Sequence, residues 1–147
     1  MEPDTVAFAK SLYYASPAER ISFIRARVPA SRVPELAAAM QVSRQRLLSM
    51  LNLPGASIRR KARLGALLSM EHSERVIGLI RLIGQLAVMV DDSGDPPDFD
   101  AARWIGGWLE QPVPALGGGR PADYMETLTG QALVSSLLTQ SQAGVFA

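Results

Sequence analysis

Few side chains in this sequence could do acid–base or nucleophilic chemistry. It contains one histidine, His72, and no cysteine, so disulfides, thiolate catalysis and thiolate zinc sites are excluded. His72 falls in the first turn of an amphipathic stretch, where a helix-start or surface role outweighs general-base work. Any Ser-His-Asp arrangement would have to use it, and no second histidine could pair with it on a metal. Asp91, Asp92, Asp95 and Asp98 cluster but lack the ligand spacing and closing glutamate of a calcium loop; they read as a solvated linker. Leu116-Gly117-Gly118-Gly119-Arg120 lacks the Lys-Ser/Thr that completes a phosphate loop, and no strand precedes it. A glycine turn that lets helices approach closely is expected there. The chain therefore reads as no enzyme, with no catalytic residue, metal or cofactor expected.

The remaining chemistry is electrostatic. Ser57, Arg59, Arg60, Lys61 and Arg63 sit on one short segment, and arginines on a helix can pair bidentately with guanine in a major groove. Ser57, Arg59 and Arg60 would read bases, while Lys61, Arg63 and also Arg44 and Arg46 would hold phosphates. The competing reading is a solvated charged face on a helical hairpin. The net charge of +1 conceals an asymmetry: residues 1–90 hold 13 Lys/Arg against 6 Asp/Glu, and residues 91–147 hold 2 against 8. The basic half suits a polyanion and the acidic half would be repelled by one, which argues for two surfaces with different partners.

These groups must be positioned by helices, because almost nothing alternates with a strand period. Ser16-Pro17-Ala18-Glu19 combines an N-cap, a proline at the first helical position and a capping-box glutamate. It opens a helix over 17–28 with Ile21 and Ile24 on one face. Ser31 is expected to cap a short helix ending at Met40, and Ser43 the next, whose Leu47, Leu48 and Leu51 face inward. Asn52 suits the left-handed residue that ends a helix, Leu53 seals the turn and Ile58 anchors a further helix. The spacing over 43–64 is that of a helix-turn-helix, although Leu48, Asn52 and Lys61 stand where a small residue, a glycine and an apolar residue are usual. Ser69 caps a long helix to Val90. Its apolar part, 76–90, is interrupted by Arg81 and Gln85 and falls short of the ~20 residues of a membrane span. Met1-Glu2-Pro3-Asp4 is acidic where a secretory signal is basic, so a cytoplasmic protein is expected.

Three regions follow: 1–90, helical, with the helix-turn-helix; 91–98, an acidic linker; and 99–147, a small helical domain. In the last, helices are expected over 99–110, 121–125 and 128–142. Trp104 and Trp108 lie on one face of the first and read as core. Thr127 should cap the last helix and Gly144 end it. Val134, Leu137 and Leu138 give that helix an apolar surface. The tail Val145-Phe146-Ala147 either folds back on its own domain or enters a partner, the second being preferred.

Trp108-Leu109, Pro112, Leu116-Gly117-Gly118, Pro121, Thr127, Gly130, Val134, Leu138 and Gly144-Val145 fall in the order and spacing of a known module. The chain resembles the Xre/MbcA/ParS family of type II antitoxins over about residues 32–147, with 68–75 similar to the start of the family's long middle helix. That resemblance implies an all-α fold with an Xre/Cro-like helix-turn-helix and a C-terminal toxin-binding domain. It also implies a RES-domain toxin partner, an NAD-consuming enzyme whose active-site cleft is obstructed, together with operator DNA, a homodimer or higher assembly, and repression of its own operon. Arg120, Tyr124, Leu138, Val145 and Phe146 are the candidate toxin contacts. The alternative is a stand-alone helix-turn-helix regulator whose C-terminal domain senses a ligand or binds a protein.

Overall fold

The computed structural model describes the backbone of residues 3–94 and 98–146 and the side chains of 5–94 and 98–141. Among them the chain is all-helical: α1 (Pro3–Tyr14), α2 (Pro17–Ala26), α3 (Arg32–Met40), α4 (Arg44–Met50), α5 (Gly55–Arg63), α6 (Met70–Asp92), α7 (Ala101–Trp108), two 3₁₀ turns (Pro114–Leu116 and Pro121–Tyr124) and α8 (Leu128–Phe146).

Local chemistry sets most of these boundaries. Ser16 and Glu19 form the reciprocal capping box, the Glu19 N–H donating to Ser16 Oγ and the Ser16 N–H to Glu19 Oε1. Ser43, Ser69 and Thr127 accept from the N–H groups of Arg46, His72 and Gly130 at 2.9–3.0 Å, each satisfying an orphan donor of a first helical turn. Ser31, by contrast, makes no side-chain cap and is itself helical. Residues 3–14, for which no helix was expected, form α1; Thr5, Ala9 and Leu12 are its buried positions, and their spacing of four and three is helical.

Helix α6 is the spine, packing against α1, α2, α7 and α8. Leu79, Ile80, Ile83 and Leu86 are fully enclosed, and burial of such side chains stabilises the fold by roughly 1.5–3 kcal/mol each. Two glycines let backbones touch. A methyl on Gly84 would overlap the Ala9 carbonyl where α1 crosses α6, and one on Gly106 would overlap the Met40 carbonyl where α7 crosses α3. One buried cluster runs from Ala9 to Leu138 through both halves of the chain.

Two identical turns order α3, α4 and α5. Gln41 (φ 56°) and Asn52 (φ 53°) are left-handed. The residue after each, Val42 or Leu53, donates its N–H back to Ala37 (3.0 Å) or Leu48 (2.8 Å), closing the helix as a Schellman turn. Only the second was expected, because asparagine signals such a turn and glutamine does not.

Several expectations are corrected. Helix α2 buries none of its residues, and Ile21 is 45% exposed. Helix α6 runs on to Asp92, and Asp91 pairs with Lys10 at 2.5 Å rather than lying in a solvated linker; Asp95 lies outside the described residues. Helix α8 continues through Gly144 to Phe146. No described helix is long and apolar enough to cross a membrane.

Candidate functional site

The basic surface is built on α5. Ile58 is the one buried residue of this helix and fixes its roll. Arg60 and Arg63, two and five positions on, sit about 200° and 140° around the axis and point outward. Ser57, Arg59, Arg60 and Arg63 are exposed and Lys61 half-buried. Among the described residues none of these four cations pairs with a carboxylate. The structure divides the set between two flanks: Arg59 and Arg63 line a cleft with Arg44 over Leu48 and Ile58, while Ser57, Arg60 and Lys61 gather around Leu64, which is 68% exposed. Leu48, at 4% exposure, fills space between α4 and α5 that a small residue would leave open.

Arg46 does not belong to this surface. Its Nε and Nη2 donate to the two oxygens of Glu110 at 2.5 and 3.0 Å. This fork joins α4 to the segment after α7, and hydrogen bonding to Glu110 raises the Arg46 pKa. Glu110 also accepts from Arg120 at 3.0 Å, and Arg120 in turn donates to Asp123 at 3.1 Å.

The C-terminal module presents a different surface. Arg120 is exposed and Tyr124 half-buried against the core, both beside the turn in which Gly117 (φ 65°) and Gly118 (φ 89°) are left-handed. Space around those two glycines is open, so they supply backbone freedom rather than close helix approach. Leu138 is not a surface residue. It is fully buried with Val134, and Leu137 is 5% exposed, because this face of α8 seats on α6. The exposed apolar residues of α8 are instead Leu128, at the rim of a cleft shared with α2 and α6, and Leu133, 49% and 41% exposed. Of Val145 and Phe146 the helical backbone is described, and their side chains lie outside the described residues.

The tryptophans, expected as core, are partly so: both are half-buried and pack against it. Ile105 and Leu109 face inward and are fully buried. Trp104 and Trp108 stack on each other, centroids 6.0 Å apart, and line an open groove with Phe99, Arg103 and Gln111. Their spacing of four placed them on one face, which packs against the core and leaves the rings half-open to the groove.

His72 is a helix-start residue. Its Nδ1 is enclosed without a hydrogen-bond partner, and burial, then the Arg75 charge, lower its pKa.

A helix-turn-helix with a free basic outer helix, joined through α6 to a small helical module with an aromatic, apolar surface, defines a two-surfaced binding protein. Residues 19–81 match the antitoxin Xre-like helix-turn-helix domain, and residues 98–144 match the antitoxin Xre/MbcA/ParS C-terminal toxin-binding domain. A Prs ADP-ribosylating antitoxin from Sphingobium sp. (strain YBL2) is 47% identical over 138 residues, spanning 94% of this chain and 87% of that protein. The chain belongs to the Xre/MbcA/ParS antitoxin family.

Proposed function

We propose that this antitoxin neutralises a RES-domain, NAD-consuming toxin by covering its active-site cleft with the C-terminal module, and that its helix-turn-helix represses its own operon. The observation that carries the two-surface reading is the outer face of α5, whose four cations pair with no carboxylate among the described residues, while the ion pairs lie elsewhere, in Arg46–Glu110–Arg120–Asp123, Lys10–Asp91 and Arg75–Glu71. The name of the relative supports the toxin class, since ADP-ribosylation takes its ADP-ribose from NAD. The chain acts by binding, not catalysis, in the cytoplasm. Arg120 and Tyr124, with the Trp104–Trp108 face, contact the toxin; Ser57, Arg59, Arg60, Lys61 and Arg63 contact the operator. Ile21 and Phe23, left 45% and 40% exposed on α2, support a homodimer through the N-terminal half.

The test is growth of cells expressing the neighbouring toxin gene, with cellular NAD followed alongside. Co-expression of this chain should relieve arrest and restore NAD; Arg120→Ala with Tyr124→Ala should lose that relief while operator binding persists. Arg60→Ala with Arg63→Ala should do the reverse, and should make the log–log salt slope of operator binding shallower by about 0.9 for each phosphate no longer neutralised. A neighbour that is expressed and harmless would favour the stand-alone regulator.

A further inference from the structure

We propose that the cleft between α2, α6 and α8 is a phosphate-binding site in which Arg20 and Arg81 grip the phosphoryl group of a small metabolite. The cleft measures about 360 Å³ and is lined by Arg20 and Ile24 from α2, Glu74, Arg81 and Gln85 from α6, and Leu128 and Ser135 from α8. That volume lies in the range of small-molecule sites.

Arg81 stands half-buried in this cleft. Its Nε is fully enclosed and has no hydrogen-bond partner, and its one described contact is the Tyr13 ring, 5.7 Å from the guanidinium carbon. Arg20 donates one Nη1 hydrogen bond to the Ala15 carbonyl at 2.8 Å. Among the described residues neither arginine pairs with a carboxylate. Burial, and after it the neighbouring Arg20 charge, disfavour the charged form of Arg81, yet arginine does not lose its proton in a protein. Arg81 therefore keeps its charge with Nε shielded and unpartnered and the rest of the guanidinium open to the cleft, a cost that a bound anion would offset.

The rest of the lining narrows the ligand. The polar wall is satisfied internally: Ser135 donates to Gln85 Oε1 at 2.6 Å, and the Gln85 amide donates to the Ser135 carbonyl and to Thr139. What remains open is the two guanidinium groups, the groups best matched to a tetrahedral oxyanion, with the Glu74 carboxylate, which pairs with neither, on the same wall and the aliphatic surface of Ile24 and Leu128 beside them. A phosphoryl group with an apolar skeleton fits both.

Calorimetry and thermal unfolding of the full chain, at constant ionic strength, test this with inorganic phosphate, phenyl phosphate and phenol. Both phosphates should bind saturably and raise the melting temperature, phenyl phosphate the more tightly, and phenol should do neither. Arg81→Gln should weaken phenyl phosphate at least tenfold. Arg20→Gln, at the cleft edge, gives a second reading should the first variant fold poorly. Arg60→Gln, on the basic face of α5, should leave the affinity unchanged. Absence of saturable binding would overturn the proposal, as would equal loss in Arg60→Gln. So would undiminished phosphate affinity in Arg81→Gln alongside a weakened toxin complex, which would assign the cleft to an acidic side chain of the toxin.

Discussion

His72 illustrates how a residue's burial, rather than its type, sets its role. Its enclosed Nδ1 and a pKa held below 6.5, by burial first and the Arg75 charge second, favour the neutral imidazole in the native state. The unfolded chain then takes up the proton more readily, so this contribution to stability is complete above about pH 6.5 and is lost as pH falls through the lowered native value. Urea midpoints measured at about pH 7.5 and pH 5 should diverge more in the wild type than in His72→Gln; equal changes in the two proteins would remove His72 as the cause. Neighbouring residues show what is legible at this scale. Ser43, Ser69, Thr127 and Asn52 announce their roles by type, because a cap or a left-handed turn needs only partners within five residues. Leu138 does not: helical spacing put it with Val134 on one face but carried no information on whether that face meets solvent or α6.

Adjacent glycines of α7 give the sharpest test at the scale of elements. Gly106 faces the Met40 carbonyl with no room for a methyl, whereas Gly107 faces open space. Gly106→Ala should push α7 off α3 and destabilise by about 1–3 kcal/mol. Gly107→Ala should stabilise by roughly 0.5–1 kcal/mol, because alanine loses less backbone entropy within a helix. Denaturant unfolding of the two variants reads the difference directly, and equal effects would contradict the crossing. The α6–α8 seam is held differently, by Gln85 with Ser135 and Thr139, and by Gln131 donating to the Arg75 and Met125 carbonyls. Gln131→Leu should leave those carbonyls without their partner inside the seam, at about 1–3 kcal/mol, a loss measurable in the same unfolding experiment. The capping box makes α2 legible from sequence, yet no residue of α2 is fully buried and only Ile24 packs on the core, since a cap specifies where a helix starts and not what it packs on.

For the whole molecule, the Arg46–Glu110 fork is an ionic tie between the helix-turn-helix and the C-terminal module. Both side chains are about 30% exposed (30% and 28%), so the pair is screened but not fully solvated. Glu110→Gln should cost roughly 1 kcal/mol at low salt and less at high salt, as measured by unfolding at two ionic strengths; a salt-independent loss would point to packing instead. Composition, caps and turn residues by themselves determined the helical class, most helix starts, the helix-turn-helix with its basic second helix, and the ordered motifs of the antitoxin family. Those features depend on contacts within a few residues or on residue order, both of which a sequence states outright. Tertiary structure decided which flank of α5 each cation occupies, that Trp104 and Trp108 face a groove, that Leu138 is core, that Arg46 serves Glu110, and that Arg20 and Arg81 share a cleft. Each of these depends on elements far apart in the chain coming together, as Arg46 and Glu110 do across 64 residues. Helical periodicity ranks the faces of one helix but does not say which neighbour each face will meet.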